Sequence, residues 1–359
     1  MMRFFAAVLL GLFVAGCSKV VPEQQGGSVP VTVRPSVNVV SEVRSSGVNS
    51  LIEDAAGLQG YPISLLGKFT INSAPSVVFG NTPLVYNDSW SYGNKPQYWV
   101  PGALYNFAAF CPYAAPYGSS VSGKILSNGT VSYDNAACSL KITEYSTGKS
   151  NTFDARAEDL LYASVTRNNT LSDDYSPVSL QMNHLLACLE FSVRNATEND
   201  IESVDNISLE GVKYKCTINI DCMNLEVSQN TVDKSTADIF SGAIRRPETG
   251  QTSFLPKGMS STSYKHLFDC MYLTVLPQDV YGIDQDETDG NDENIYLNFT
   301  VHYEEGVSDD VTYKVNLSNI DSVMEWEMGR KYSYNLTITS QNIYFQVVEV
   351  PWIEHEVEL

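Results

Sequence analysis

The chain has 359 residues, 42 acidic against 22 basic side chains and a net charge of −20. Such an acidic surface repels nucleic acid and anionic lipid, so no function built on a basic patch is expected. Seven cysteines and four histidines, with no C-x-x-C pair among them, give no zinc or thioredoxin-type site.

The first residues, MMRFFAAVLLGLFVAGCSKV, hold one basic residue, Arg3, followed by an apolar run from Phe4 to Val14. That run is too short to cross a bilayer and reads as a secretory signal over residues 1–16. Val14-Ala15-Gly16-Cys17 resembles the lipobox of bacterial lipoproteins, which implies cleavage before Cys17 and its acylation. An ordinary secretory signal with an idle cysteine is the alternative. Several acyl chains would anchor the protein firmly, at about 0.8 kcal/mol per buried methylene. Ser18, rather than Asp, follows the cysteine, which in similar lipoproteins favours the outer membrane. Loss of Arg3 with the signal moves the net charge from −20 to −21.

Residues 17–44 begin as a polar tether, SKVVPEQQGG, and become SVPVTVRPSVNVVSEVR. Val29, Val31, Val33, Val37, Val39 and Val43 share one parity, with mostly polar residues between them. This predicts a strand with one apolar face, and Pro30 and Pro35 suit it to a sheet edge.

About 340 mature residues suggest two domains. Beyond the tether, strand signals dominate. LYNFAAFCPY (residues 104–113) is continuously apolar, as expected of a strand buried on both faces. VSLQMNHLLACLEFSV, KYKCTINI, LFDCMYLTVL, NIYLNFTVHY and YSYNLTITS are rich in Val, Ile, Thr and Tyr and are separated by turn residues. Tyr332, Tyr334, Leu336 and Ile338 alternate with polar residues after a turn at Gly329. Only 157–164 suggests a helix, a short one. The reading is all-β, in sandwiches. The polar stretch Arg167–Tyr175, closed by Pro177, marks the expected boundary between domains 45–177 and 178–359.

Other constellations carry less. The loop Asp284–Glu293 resembles a calcium loop, but Thr288 stands where a ligand belongs and Gly290 is one place late, so it reads as a solvated acidic turn. His184 sits in an apolar strand as a core histidine, and His266, His302 and His355 lie far from it. Tyr92, Tyr98, Trp99, Tyr105, Tyr113 and Tyr117 either pack a core or stack on a glycan or host protein. Cys111, Cys138, Cys188, Cys216, Cys222 and Cys270 permit three disulfides in 15 pairings, or buried thiols. No catalytic motif appears, and neither an enzyme nor a cofactor is expected.

Tyr105-Asn106-Phe107-Ala108-Ala109-Phe110-Cys111-Pro112-Tyr113, Asp159-Leu160-Leu161-Tyr162-Ala163, PVSLQMNHLLACLEFSVRN (Pro177–Asn195) and WEMGRKYSYNLTIT (Trp326–Thr339) follow one another in order. With the lipobox and a terminal strand pair closing on Trp352, they resemble the fimbrillin-like lipoproteins, the type V pilins of Gram-negative anaerobes. The resemblance implies two tandem transthyretin-like β-sandwich domains after the lipoprotein signal and tether. It also implies assembly by strand exchange: an arginine-specific protease removes an N-terminal strand, and another subunit's C-terminal strand fills the groove. On this chain, the removable strand would hold Val29, Val31, Val33, Val37, Val39 and Val43. Cleavage is expected at Arg44, because Arg34 precedes Pro35 while Arg44 precedes Ser45-Ser46-Gly47.

The donor would be Ile353, His355, Val357 and Leu359, reaching back to Trp352. Burying Ile353, Val357 and Leu359 contributes roughly 5–9 kcal/mol, against about 1–2 kcal/mol per residue for ordering the tail. Pairing of residues 353–359 within their own domain stays open, as does a non-polymerising surface lipoprotein or tip adhesin that binds a glycan or host protein.

Overall fold

The computed structural model describes residues 29–37, 52, 54–116, 121–147, 158–170, 174–229, 239–268, 272–280, 294–320, 322–340 and 342–351. In chain order these form β1 (Val33–Val37), one helical turn α1 (Ala55–Leu58), β2 (Ile63–Ile71), β3 (Ala74–Asn87), β4 (Ser89–Ser91) and β5 (Leu104–Cys111). Next come β6 (Thr130–Asp134), β7 (Ser139–Ser146), β8 (Leu161–Asn168), β9 (Val178–His184), β10 (Ala187–Asn195) and β11 (Ile201–Glu210). They are followed by β12 (Lys215–Ile220), β13 (Leu225–Gln229), β14 (Ile239–Arg245), β15 (Lys265–His266), β16 (Leu273–Val275) and β17 (Gln278–Asp279). The last are β18 (Tyr296–Tyr303), β19 (Val311–Asn316), β20 (Glu325–Trp326), β21 (Arg330–Ile338) and β22 (Ile343–Pro351). The all-β expectation holds.

A seven-stranded sheet has the order β1-β9-β8-β5-β2-β3-β4 and is antiparallel except where β1 runs parallel to β9. Its centre is β5, whose two faces feed two cores. Tyr105, Phe107, Ala109 and Cys111 pack with β1, β9, α1 and Trp99. Ala108 and Phe110 pack against a four-stranded sheet of order β13-β12-β7-β6. That double burial explains the unbroken apolar run in the sequence.

A third core lies between a sheet built on β15, β10, β21 and β22 and another of order β14-β11-β18-β19. Tyr332, Tyr334, Leu336 and Ile338 of β21 all point into it, as their parity predicts. The Phe191 and Tyr334 rings stack at 4.8 Å, and Trp326 Nε1 donates to Tyr334 Oη at 2.8 Å. Gly329, at φ 68°, makes the tight turn that brings Trp326 back over β21.

Sheet membership runs across residue 177. β9 joins β8 and β1 in the first large sheet, while β12 pairs with β7. Of the polar stretch before Pro177, Arg167 Nη1 lies 2.7 Å from Asp174 Oδ2.

Where a short helix was expected, residues 161–164 belong to strand β8. Leu161 and Tyr162 pair with Cys111 and Phe110, and Leu161 and Ala163 complete a core. Cross-strand burial outweighs the local helix preference of an Ala/Leu-rich stretch.

Candidate functional site

Of the expected removable strand, Val33–Val37 lie at a sheet edge. Val33↔Val178 through Val37↔Met182 form a parallel ladder with β9, and Val178 N donates to Thr32 O at 2.8 Å. Just before β1 the chain changes partner. Val31 N donates to Gln97 O at 2.8 Å, and Trp99 N donates to Val29 O at 3.2 Å. Tyr92 Oη donates to Val31 O at 2.6 Å.

Val31, Val33, Pro35 and Val37 face inward, while Thr32, Arg34 and Ser36 face solvent. The inward set covers Trp99, Leu180, Met182 and Leu58, so the strand forms one wall of a core and is laddered on one side along β1. The two prolines cost nothing here, because an edge leaves donors unpaired in any case. Val29 departs from the expected parity role and is 36% exposed: it lies where the chain has left β9 for the Gln97–Trp99 segment.

Val39, Val43, Arg44 and Cys17 lie outside the described residues, as do Trp352, Ile353, His355, Val357 and Leu359, and the acidic loop 284–293. β22, which leads to Trp352, is an edge strand paired antiparallel to β21 over Ile343–Pro351. Ile343, Phe345 and Val347 pack on the third core, whereas Tyr344, Val348 and Val350 are exposed.

A buried clamp fastens the chain beyond β1. Asp159 Oδ2 accepts from Ile52 N at 2.7 Å, and Asp159 Oδ1 lies 2.8 Å from His184 Nδ1. Both side chains are almost fully buried. The two carboxylate oxygens are thus divided between a backbone amide and the imidazole. His184 is therefore a satisfied core histidine. The partnership was not anticipated, although two ionisable residues in apolar runs, each needing a partner once buried, were its signal.

The aromatic cluster is mainly core. Trp99, Tyr105 and Tyr113 are buried, with Trp99 edge-on to Tyr105 at 4.8 Å, and Tyr105 Oη accepts from Val100 N at 2.6 Å. Of the described members only Tyr98 is open to solvent. Among the described residues no cluster of three His, Cys, Asp or Glu is disposed to hold a metal, and no helix is long and apolar enough to cross a membrane.

Two smaller effects follow. Removing the Tyr92 hydroxyl leaves Val31 O without that donor, so Tyr92→Phe should weaken the hold on residues 29–31 by about 1 kcal/mol. Amide exchange at Val31 should then quicken by about fivefold, with that at Phe191 unchanged. Separately, His302 lies between Asp205 (2.9 Å) and Asp310 (2.7 Å), which raise its pKa, Asp205 most. A raised folded-state pKa adds stability that is complete below the unfolded value of about 6.5 and disappears as pH rises through the folded value. Solvent screening keeps the effect small for groups this exposed. His302→Gln should lose that pH dependence in denaturant titrations run from just below the unfolded value to well above it.

The fimbrillin-like family matches residues 63–352. No curated protein matches the chain. Among solved structures, a fimbrial protein from Bacteroides vulgatus aligns over 89% of this chain and 99% of its own, at 14% identity and a TM-score of 0.57. A putative cell adhesion protein from Bacteroides ovatus covers 91% and 99%, at 14% identity and 0.47. One from Bacteroides uniformis covers 90% and 98%, at 14% identity and 0.45. The first shares the fold, and with most of its length inside the family match, the chain belongs to the fimbrillin-like family.

Proposed function

We propose that this protein is a structural subunit of a surface fimbria, exported as a lipoprotein through Cys17 and polymerised by strand exchange after cleavage at Arg44. The observation that carries the proposal is the seat of residues 29–37. An amphipathic strand next to the N-terminal tether forms a core wall while laddered along one side, so its departure bares an apolar trough and an unpaired β9 edge. Family membership supports a surface, fimbrial role. The Ile52–Asp159 contact supports cleavage at Arg44, since the chain downstream stays fastened when the strand leaves. The occupant would be the tail beyond β22, Trp352 with Ile353, His355, Val357 and Leu359 of another subunit, adding main-chain pairs along β9.

The test is full-length protein digested with an arginine-specific protease. SDS-resistant ladders whose subunits begin at Ser45 are expected, with Arg44→Gln remaining monomeric. Removal of residues 353–359 should abolish the ladders without altering the unfolding transition. Monomer persisting after complete cleavage would overturn the proposal.

A further inference from the structure

Two cysteines that the fold brings together have no part in strand exchange. Cys138 lies before β7 and Cys222 after β12, 84 residues apart in sequence, yet their sulfurs are 3.2 Å apart. The antiparallel register explains the meeting. Lys141 pairs with Asn219 and Leu140 with Ile220, and two further steps set residue 138 against residue 222. Both backbones are held by turns: Asp134 accepts from the Ala136 and Ala137 amides, and Asp221 from those of Met223 and Asn224. Both side chains are buried, and the Cys138 sulfur also faces Phe79 O at 3.4 Å. The other described cysteines, Cys111, Cys188 and Cys216, are buried thiols.

We propose that Cys138 and Cys222 form a disulfide in the exported protein, stapling β7 to β12 across the seam between the two halves of the chain. A bond of about 2.05 Å asks the sulfurs to close by roughly 1 Å from their present contact. The electrons go to a disulfide donor, either a protein disulfide oxidase of the cell envelope or glutathione disulfide. Cys138 thiolate attacks one donor sulfur and displaces a thiolate. Cys222, giving up its proton, then attacks the Cys138 sulfur and displaces the second. Two thiols are oxidised and one donor disulfide becomes two thiols.

Once the two cysteines have met, Cys138 is the more readily ionised of the pair. Its pKa is drawn down to about 7, chiefly by the hydrogen bond from the Cys222 thiol, whose own pKa that contact raises. Because both thiols are buried once folded, exchange takes place as the sheet forms.

The inference needs export to an oxidising compartment in the cell but does not need polymerisation, and a refolding arm separates it from export. Protein expressed from the full-length chain, leader included, is recovered from the envelope, alkylated under denaturing conditions and mapped without reduction. In parallel, reduced chain is refolded with glutathione disulfide. Both arms should yield a Cys138 peptide joined to a Cys222 peptide. Protein retained in the cytoplasm would count against export, while the refolding arm still decides the pair.

The oxidised protein should lose several degrees of Tm when reduced, as a long bridged loop implies. The double variant C138S/C222S should show no response to reductant. Alkylation of both cysteines after refolding with glutathione disulfide, linkage of either to Cys270, or an equal reductant effect in the double variant would each overturn the staple.

Discussion

Asp159→Ala is expected to destabilise the protein by about 3–5 kcal/mol, a large share of the roughly 5–15 kcal/mol typical of a whole domain. The carboxylate serves two donors with nothing to replace it. Ile52 N bonds one oxygen at 2.7 Å and His184 Nδ1 lies 2.8 Å from the other. Alanine removes the carboxylate from a buried amide and a buried imidazole nitrogen and opens a small cavity between them. Asp159→Asn should cost less, roughly 1–3 kcal/mol, since the new carbonyl satisfies one donor while the new NH2 opposes the other unless the histidine changes tautomer.

Removing both members, as Asp159→Ala with His184→Leu, should recover part of the loss, because the imidazole nitrogen that faced the carboxylate is removed with it. Urea midpoints of the parent, the two single variants and the double variant make the cycle. If the double variant equals the sum of the singles, the two side chains are not coupled and the clamp is wrong. Amide exchange at Ile52 adds a local readout, which should rise in the Asp159→Ala variant beyond what global destabilisation accounts for.

Which features the sequence disclosed follows from the range of the forces behind them. The alternation in Val29–Val43 located an apolar face and its prolines placed it at an edge, and Val31, Val33 and Val37 are buried as that parity requires. The same reasoning over-extended to Val29, because parity cannot tell where a strand changes neighbour. β5 was legible from its unbroken apolar run and β21 from its alternation, since each pattern records a local choice between two faces.

The parallel ladder of β1 on β9, the pairing of β7 with β12 and the meeting of Cys138 with Cys222 were not legible. Each depends on register between segments far apart in sequence, and period-2 patterns carry no information about partners. The strand at 161–168 was missed for the same reason: its partner β5, not its own composition, decides its conformation. His184 was legible as a buried group. Asp159 as its partner required the fold.

Val33→Asp separates the strand from the seat it occupies. Val33 is 4% exposed on the inner face of β1, opposite Val178. Its aspartate variant loses about 1.5–3 kcal/mol of apolar burial and would strand a charge in a core. An edge strand has an escape that a central one lacks: it undocks and takes the charge into water. Under strand exchange, cleavage at Arg44 should therefore quicken roughly 10- to 100-fold, the range that about 1.4–2.8 kcal/mol of lost docking implies. A subunit cut at Arg44 would begin at Ser45 and lack residue 33, so its ladders should match the parent in yield and SDS resistance. Leu180→Asp places the same charge on β9, two residues along from Val178 and in the same core, where cleavage cannot remove it. Its ladders should be lost, because any incoming strand meets the charge. Equal ladders from the Leu180 variant, or weak ladders from the fully cleaved Val33 variant, would mean that the trough beneath β1 is not the surface the tail covers.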